Sequence, residues 1–291
     1  MEFVNAIKIV QSMSGEGWFA SNYNMNIYRG CNQGCIYCDS RSSCYQITDF
    51  DKVKVKKDAP KLVEAELSRK RKKGIISMGG MSDPYNHLEK NMEYTRQTLE
   101  SIYKYEFGVS CITKNELVLR DINLFKKIAL RNSVCIGVTI TTADDKLQDR
   151  IERNVSSSSK RFEIVKTLNA EGIYAGILMM PILPFINDTI KNIEEIVVKA
   201  HEANAKFIYP SFGVTLRDNQ RLYFFEKIGE KLTKKYIDEF GDSYVCVSPN
   251  HKKLKEHFEK LCKKYGISYR MSEISKEIKL TNKKQQISFD L

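Results

Sequence analysis

Three cysteines at spacing C-x3-C-x2-C, Cys31, Cys35 and Cys38, are the residues of this chain best suited to chemistry. They follow the alternating run Met25-Asn26-Ile27-Tyr28, which reads as a strand. A loop of this length can turn three thiolates toward one point. Three thiolates are one fewer than the irons of a cubane cluster. The fourth iron then keeps an open position for a ligand, as a catalytic metal does. A structural zinc site, with Cys44 as the fourth ligand, is the competing reading, although zinc ligands usually come as two short pairs separated by a loop. A disulfide pair is a second alternative.

Other polar residues stand where strands should end. Apolar strand-like runs at 74–80, 109–113, 134–141, 173–180 and 206–213 alternate with amphipathic stretches at 59–73, 89–105, 117–131, 158–172 and 189–204. Ser158 and Asp188 are candidate helix caps. With the strand before the cysteines this makes about six β-α units. Strands spaced by helices form a parallel sheet with right-handed crossovers. The expected fold is α/β, a partial (β/α)6 TIM-like barrel open on one side, with a small C-terminal α/β extension. The expected division is a barrel over 1–215 and an extension over 216–291, with helices at 223–240 and 250–265 and short strands at 244–247 and 267–269. In such a barrel the site lies at the C-terminal ends of the strands.

At those ends stand several candidates. Gly79 and Gly80 allow a ligand to approach the backbone closely, or simply make a tight turn. Lys114 is a partner for a carboxylate, or an exposed solubility lysine. Thr139 and Thr141 alternate and so share a face from which both reach a ribose hydroxyl; ordinary β-branched strand preference is the other explanation. The run Met179-Met180-Pro181-Ile182-Leu183-Pro184 closes an apolar strand and can pack on a flat ring or into the core. Arg217 and Arg221, after the last strand, can meet an anionic substrate, or lie on a helix-start surface. The four histidines, His87, His201, His251 and His257, show no ligand spacing.

The 291 residues are 42% hydrophobic, enough for a buried core, and carry a formal charge of +11. That charge permits a polyanionic partner such as nucleic acid. The basic runs at 52–57, 69–73 and 252–264 also read as solvated helix faces. No run approaches the roughly 20 apolar residues of a membrane span. The N-terminus lacks a charged-then-apolar signal pattern, so the expected location is cytoplasmic. Eight cysteines in that setting are metal ligands or free thiols rather than a disulfide framework.

The cysteine stretch, with Tyr37 before its last cysteine, closely resembles the signature of radical S-adenosylmethionine (radical SAM) enzymes. Further segments resemble the spore photoproduct lyase-like branch of that superfamily. They are Tyr28-Arg29-Gly30-Cys31, Ser82-Asp83-Pro84-Tyr85 with Glu89, Thr95-Arg96, Thr113-Lys114 with Leu119-Arg120-Asp121, Arg161, and Met180 to Pro184 with Asn187-Asp188. The resemblance covers roughly residues 20–205. It implies a [4Fe-4S] cluster held by Cys31, Cys35 and Cys38, and S-adenosyl-L-methionine bound to its open iron. It places Tyr37 against the adenine, on which the strand closed by Pro181 can also pack if it does not simply fill the core. It puts Gly79, Gly80 and either Ser82 or Asp83 at the amino group, Lys114 at the carboxylate, and Thr139, Thr141 and Glu152 in the same cofactor-binding set.

The chemistry implied is one-electron cleavage of the sulfonium to a 5′-deoxyadenosyl radical that takes hydrogen from a substrate. An electron donor of flavodoxin or ferredoxin type follows from it. The branch points to a nucleic-acid or nucleotide substrate, as in DNA repair. Spore photoproduct lyase has a hydrogen-returning cysteine near the second strand end. The matching stretch Gly79-Gly80-Met81-Ser82-Asp83 has none, and Cys111, on the third strand, is a conceivable substitute, with a buried core thiol as its plainer reading. The C-terminal run Gln285-Gln286-Ile287-Ser288-Phe289-Asp290-Leu291 resembles peptides that dock on the sliding clamp of DNA replication; a frayed tail is the alternative. Two rival functions remain: the same cofactor acting on a peptide or small metabolite, and a zinc-stabilised basic nucleic-acid-binding module.

Overall fold

The computed structural model describes residues 1–287, with side chains through 281. Its centre is a seven-stranded sheet. In chain order the strands are β1 (Val10–Ser12), β2 (Ser21–Met25), β3 (Ile75–Met78), β4 (Gly108–Thr113), β5 (Val134–Thr139), β6 (Tyr174–Met179) and β7 (Ile208–Pro210). Their spatial order is β7-β6-β5-β4-β3-β2-β1. Strands β2 to β7 are parallel, and β1 lies antiparallel on the edge beside β2. Five of the six parallel strands match the expected runs, while β2 precedes the expected 25–28 and overlaps it only at Met25; β7 and β1 stand at opposite edges, so the sheet does not close.

Five crossover helices connect them: α1 (Ala59–Arg69), α2 (Tyr94–Lys104), α3 (Ile122–Ala129), α4 (Ser158–Ala170) and α5 (Ile190–Glu202). Every residue of β5 and β6 is buried, as in parallel strands covered on both faces. Helix α5 buries Ile193, Ile196, Val197 and Ala200, one helical face, against that sheet. Beyond β7 come the antiparallel pair β8 (Gly213–Thr215) and β9 (Val245–Val247), with helices α6 (Asp218–Ile228) and α7 (Glu230–Phe240) between them. Helices α8 (His251–Tyr265) and α9 (Met271–Ile287) follow. Leu254, Phe258 and Leu261 of α8 join the barrel's own core.

Several expected boundaries shift for local reasons. The run 25–28 does not continue one strand: β2 ends at Met25, and Tyr28–Arg29 pairs instead with Lys54–Lys56 in a small separate sheet. The helix expected over 89–105 breaks at Glu93, whose φ is +51°, and that over 223–240 breaks at Gly229, φ +80°. The strand expected over 206–213 divides into β7 and β8. In place of a strand at 267–269 there is one bridge, Phe207 to Ser268. Helix α4 is capped by Ser157, which accepts from the Lys160 N–H, rather than by Ser158. Helix α5 is capped by Thr189 rather than Asp188, whose carboxylate accepts from Ser248 Oγ at 2.6 Å. Of the C-terminal docking-peptide run, residues 285–287 end helix α9, and 288–291 lie outside the described residues.

Candidate functional site

The cysteine loop is fixed from two sides. Gly30 has φ +79°, and a Cβ there would fall 2.7 Å from the carbonyls of both Phe50 and Lys52, so only glycine fits. The Cys31 N–H then donates to Phe50 O at 2.8 Å. On the other side Ile36 N–H donates to Ile151 O, and Asn154 reaches Gln33 O and Asn32 O through its N–H and Nδ2. Cys31, Cys35 and Cys38 come to line one cavity of about 90 Å³, together with Gly79, Gly80, Lys114 and Thr139. Burial raises their thiols to about 11, 12 and 11 respectively. All eight cysteines are free thiols, so the disulfide alternative falls. Among the described residues no three His, Cys, Asp or Glu side chains converge closely enough to hold a single ion. Cys44 is exposed and takes contacts from Ser42 Oγ and Arg217 Nη1, so a four-cysteine zinc site is not formed.

The turn after β3 carries the two glycines, which play different parts. Gly79 has φ +93°, and a Cβ there would meet Ile112 O at 2.1 Å. Gly80 would meet nothing within 4 Å. It borders the cysteine cavity and two larger ones, of about 490 and 680 Å³. Asp83 lines the cysteine cavity. It accepts from Gln33 Nε2, from the Tyr85 and Lys114 N–H groups at 2.8 and 2.9 Å, and from Thr113 Oγ1 at 2.8 Å. It therefore ties the cysteine loop to the ends of β3 and β4. Ser82 Oγ donates to Gly30 O at 2.6 Å. Both side chains line the cysteine cavity and are hydrogen-bonded to protein.

Lys114, just past β4, lines the cysteine cavity and the 490 Å³ cavity. Burial presses its ammonium down, but Cys35 and Glu152 more than offset this and raise its pKa. Its Nζ lies 5.9 Å from the centre of the Tyr37 ring. Tyr37 is buried, lines the cysteine and 680 Å³ cavities, and donates its hydroxyl to Glu152 Oε1. Glu152 stands 2.6 Å from Arg161 Nη1 as a close ion pair, both side chains fully buried; the pair is off-line for a hydrogen bond. Arg161 also donates to Thr139 O and Ser156 O, at 2.8 and 2.7 Å.

Thr139 lines the cavity, but Thr141 lies beyond the end of β5, where strand alternation no longer holds. Thr141 is buried, with its carbonyl taken by Asn187 and Asn192. Pro181 lines the 680 Å³ cavity.

The two arginines expected to meet an anionic substrate are held elsewhere. Arg217 makes a two-pronged contact with Asp39, Nε to Oδ1 and Nη2 to Oδ2, each 3.1 Å, and donates to Tyr244 Oη. Arg221 donates to the carbonyls of Ser243 and Gly241 after α7. Cys111 packs in the main core, and burial raises its thiol well above the ordinary range. Sequence reasoning missed the parts of Gln33 and Asp39, whose partners Asp83 and Arg217 lie 50 and 178 positions away.

The residues fit an iron–sulfur cluster with a nucleoside ligand beside it. Three cysteines line one space. The glycine whose Cβ would project into open space is a wall of that space and of the two larger cavities. A lysine for which no side-chain hydrogen bond or ion pair occurs among the described residues lines the cysteine cavity and the 490 Å³ one.

Comparison with known proteins agrees. Residues 25–197 match the family described as the radical SAM superfamily. An uncharacterized protein of Methanocaldococcus jannaschii is 32% identical over 231 residues, 75% of this chain and 84% of the relative. An uncharacterized protein of Mycobacterium tuberculosis is 23% identical over 256 residues, 84% of this chain and 75% of the relative. Among solved structures, spore photoproduct lyase complexed with dinucleoside spore photoproduct has TM-score 0.63 at 13% identity, over 90% of this chain and 79% of that one. Streptococcus suis SuiB bound to S-adenosylmethionine has TM-score 0.50 at 12% identity, over 85% and 49%. These last two are likenesses of fold.

Proposed function

The chain belongs to the radical SAM superfamily, and from that premise we propose that it is an enzyme of the spore photoproduct lyase-like branch acting on a nucleic-acid or nucleotide substrate. The observation that carries the reading is the single cavity lined by Cys31, Cys35 and Cys38, which shares Gly80 as a wall with two larger cavities of about 490 and 680 Å³. Cys31, Cys35 and Cys38 would hold a [4Fe-4S] cluster. The Gly79-Gly80 turn, Lys114, Thr139, Tyr37 and Pro181 would flank S-adenosylmethionine. Bound together, cluster and S-adenosylmethionine supply one-electron chemistry that ends in removal of a hydrogen atom from the substrate. An external flavodoxin- or ferredoxin-type protein in the cytoplasm is the proposed source of the electron.

The chain's own residues do the rest. Lys114 places a positive charge where a carboxylate can dock in a low-dielectric cavity. Asp83 fixes the backbone of Lys114 and the side chain of Gln33 at once, which sets the lysine against the cysteine loop. Glu152, neutralised by Arg161, anchors the Tyr37 hydroxyl and so orients its ring over the cavity. The buried walls exclude water and stray hydrogen donors.

Nucleic acid is favoured as substrate by the charge of +11 and by the exposed lysines of α8. The fold likeness to a lyase whose structure carries a dinucleoside photoproduct points the same way. Repair of the spore photoproduct itself is not proposed, because Cys111 is packed away from the cavity. Clamp docking through 285–291 stays a secondary proposal on sequence alone.

The test is anaerobic reconstitution with iron and sulfide, followed by reduction. Brown protein that forms 5′-deoxyadenosine, faster when damaged oligonucleotide is added, is the expected result. Colourless protein holding one zinc would overturn the enzyme reading. Stimulation by a peptide or small metabolite but by no oligonucleotide would overturn the substrate.

A further inference from the structure

The 680 Å³ cavity is the largest of those at the strand ends and opens to solvent between the sheet and the β8–β9 hairpin. Its size suits a small-molecule site. Its lining is unusual in two respects. Apolar side chains that would ordinarily be covered stand exposed there: Trp18 at 50%, Val245 at 50% and Val247 at 41%. And no lysine or arginine is among the residues that line it. Asp39, which does line it, is held by Arg217.

Trp18 is also held in place at a cost. The two residues after it, Phe19 and Ala20, have φ of +53° and +58°, a left-handed conformation that non-glycine residues rarely adopt. Such strain persists only where the surroundings impose it. Here Phe19 is buried against Phe207, and its N–H reaches Met271 Sδ at 3.2 Å. Tyr209 meets the indole edge-on, with ring centres 5.3 Å apart. The effect is an indole fixed at the mouth of the cavity, half of it still open.

We propose that Trp18 is a stacking platform for an uncharged planar ring, which enters the cleft between the indole and the β8–β9 hairpin while any phosphate stays outside. A charged group taken into this cleft would lose water without gaining a cation. A neutral ring keeps its stacking and apolar contacts. Lys252 and Lys253 follow the lining residue His251 directly in sequence and are exposed. This rests on the substrate reading above and narrows it to a base turned into the cleft.

Because Trp18 is the chain's one tryptophan, its emission reports the platform directly. The experiment titrates reconstituted holoenzyme, saturated with S-adenosylmethionine so that the space beside Tyr37 and Pro181 is filled, with thymidine, with a short single-stranded oligonucleotide, and with an abasic oligonucleotide of equal length. Binding of the two oligonucleotides is followed in parallel by anisotropy. Thymidine and the intact oligonucleotide should quench saturably, and the abasic one should bind without quenching. Raising salt should weaken the oligonucleotides and leave thymidine unchanged. Trp18→Ala should lose about tenfold in affinity for the intact oligonucleotide, with Trp18→Phe close to the parent. Val247→Glu, on the opposite exposed wall, should abolish the thymidine signal in a protein of unchanged circular dichroism.

The platform is overturned if the intact oligonucleotide binds with no change in emission, or if the abasic one quenches as well. If neither oligonucleotide nor thymidine binds while a tyrosine-containing peptide quenches, the platform stands and the nucleic-acid substrate falls.

Discussion

Gly79 and Gly80 are neighbours with opposite demands, and this makes them a sharp test of the site. At Gly79 a methyl group would meet Ile112 O at 2.1 Å on a backbone with φ +93°. Gly79→Ala should therefore cost about 1–3 kcal/mol in a urea unfolding curve. At Gly80 a methyl group meets nothing within 4 Å, so Gly80→Ala should unfold within about 0.5 kcal/mol of the parent. That methyl would stand on the wall that the three cavities share, and S-adenosylmethionine binding by the reconstituted protein should weaken on the order of tenfold, or about 1.4 kcal/mol. Equal binding by Gly80→Ala and parent would move the cofactor away from this turn. The glycines and cysteines were legible in the sequence because their spacing is local. Asp83 was visible as an acid near the right place, but its use was not. Its partners Gln33 and Thr113 lie 50 and 30 positions away, and only the fold reveals that they hydrogen-bond its oxygens. Arg217 was read as a free cation for the same reason, since Asp39 is 178 positions distant.

The start of helix α6 acts as a strap over the cysteine loop. Residues 217–220 each grip a residue between 37 and 43. Arg217 pairs with Asp39, Asp218 accepts from Ser42 Oγ and Ser43 Oγ, Asn219 accepts from Ser43 N–H, and Gln220 Nε2 donates to Tyr37 O. The Arg217–Asp39 pair is about one-third exposed at each side chain, at 31% and 30%, so solvent screening leaves it within the roughly 0–1 kcal/mol of surface ion pairs. Its use is positional. Asp218→Ala should cost about 1 kcal/mol of stability, and it should speed chelator-driven bleaching of the reconstituted protein several-fold. Bleaching at the parent's rate would show that the strap does not hold the loop. Element types were legible from periodicity, because five crossover helices and six parallel strands repeat the same local pattern. The breaks were not, because nothing in the sequence around Glu93 announces a positive φ. The division of the run 206–213 depends on pairing with Val245–Val247, more than 30 residues later.

At the scale of the whole molecule, the division at residue 215 read from the sequence can be set against the packing. Helix α8 lays Leu254 and Phe258 into the barrel's core beside Ile193 and Val197. Helix α9 closes the far side of the sheet. Its Ile274 and Ile278 are fully buried with Phe19, Tyr174 and Phe207. Glu277 accepts from Tyr174 Oη at 2.6 Å, and Ser133 Oγ donates to the Ile278 carbonyl. Elements that share one apolar cluster lose it together, so we expect the described chain to unfold in one cooperative step. Ile278→Ala removes buried methylenes at a site walled by aromatic rings, and should cost about 2–5 kcal/mol on that single transition. Because α9 also braces Phe19, the residue after Trp18, the same substitution should shift Trp18 emission and weaken thymidine quenching before global unfolding begins. A first, smaller transition that leaves tryptophan emission unchanged would separate 216–291 from the barrel, and α9 would then have no part in shaping the cleft.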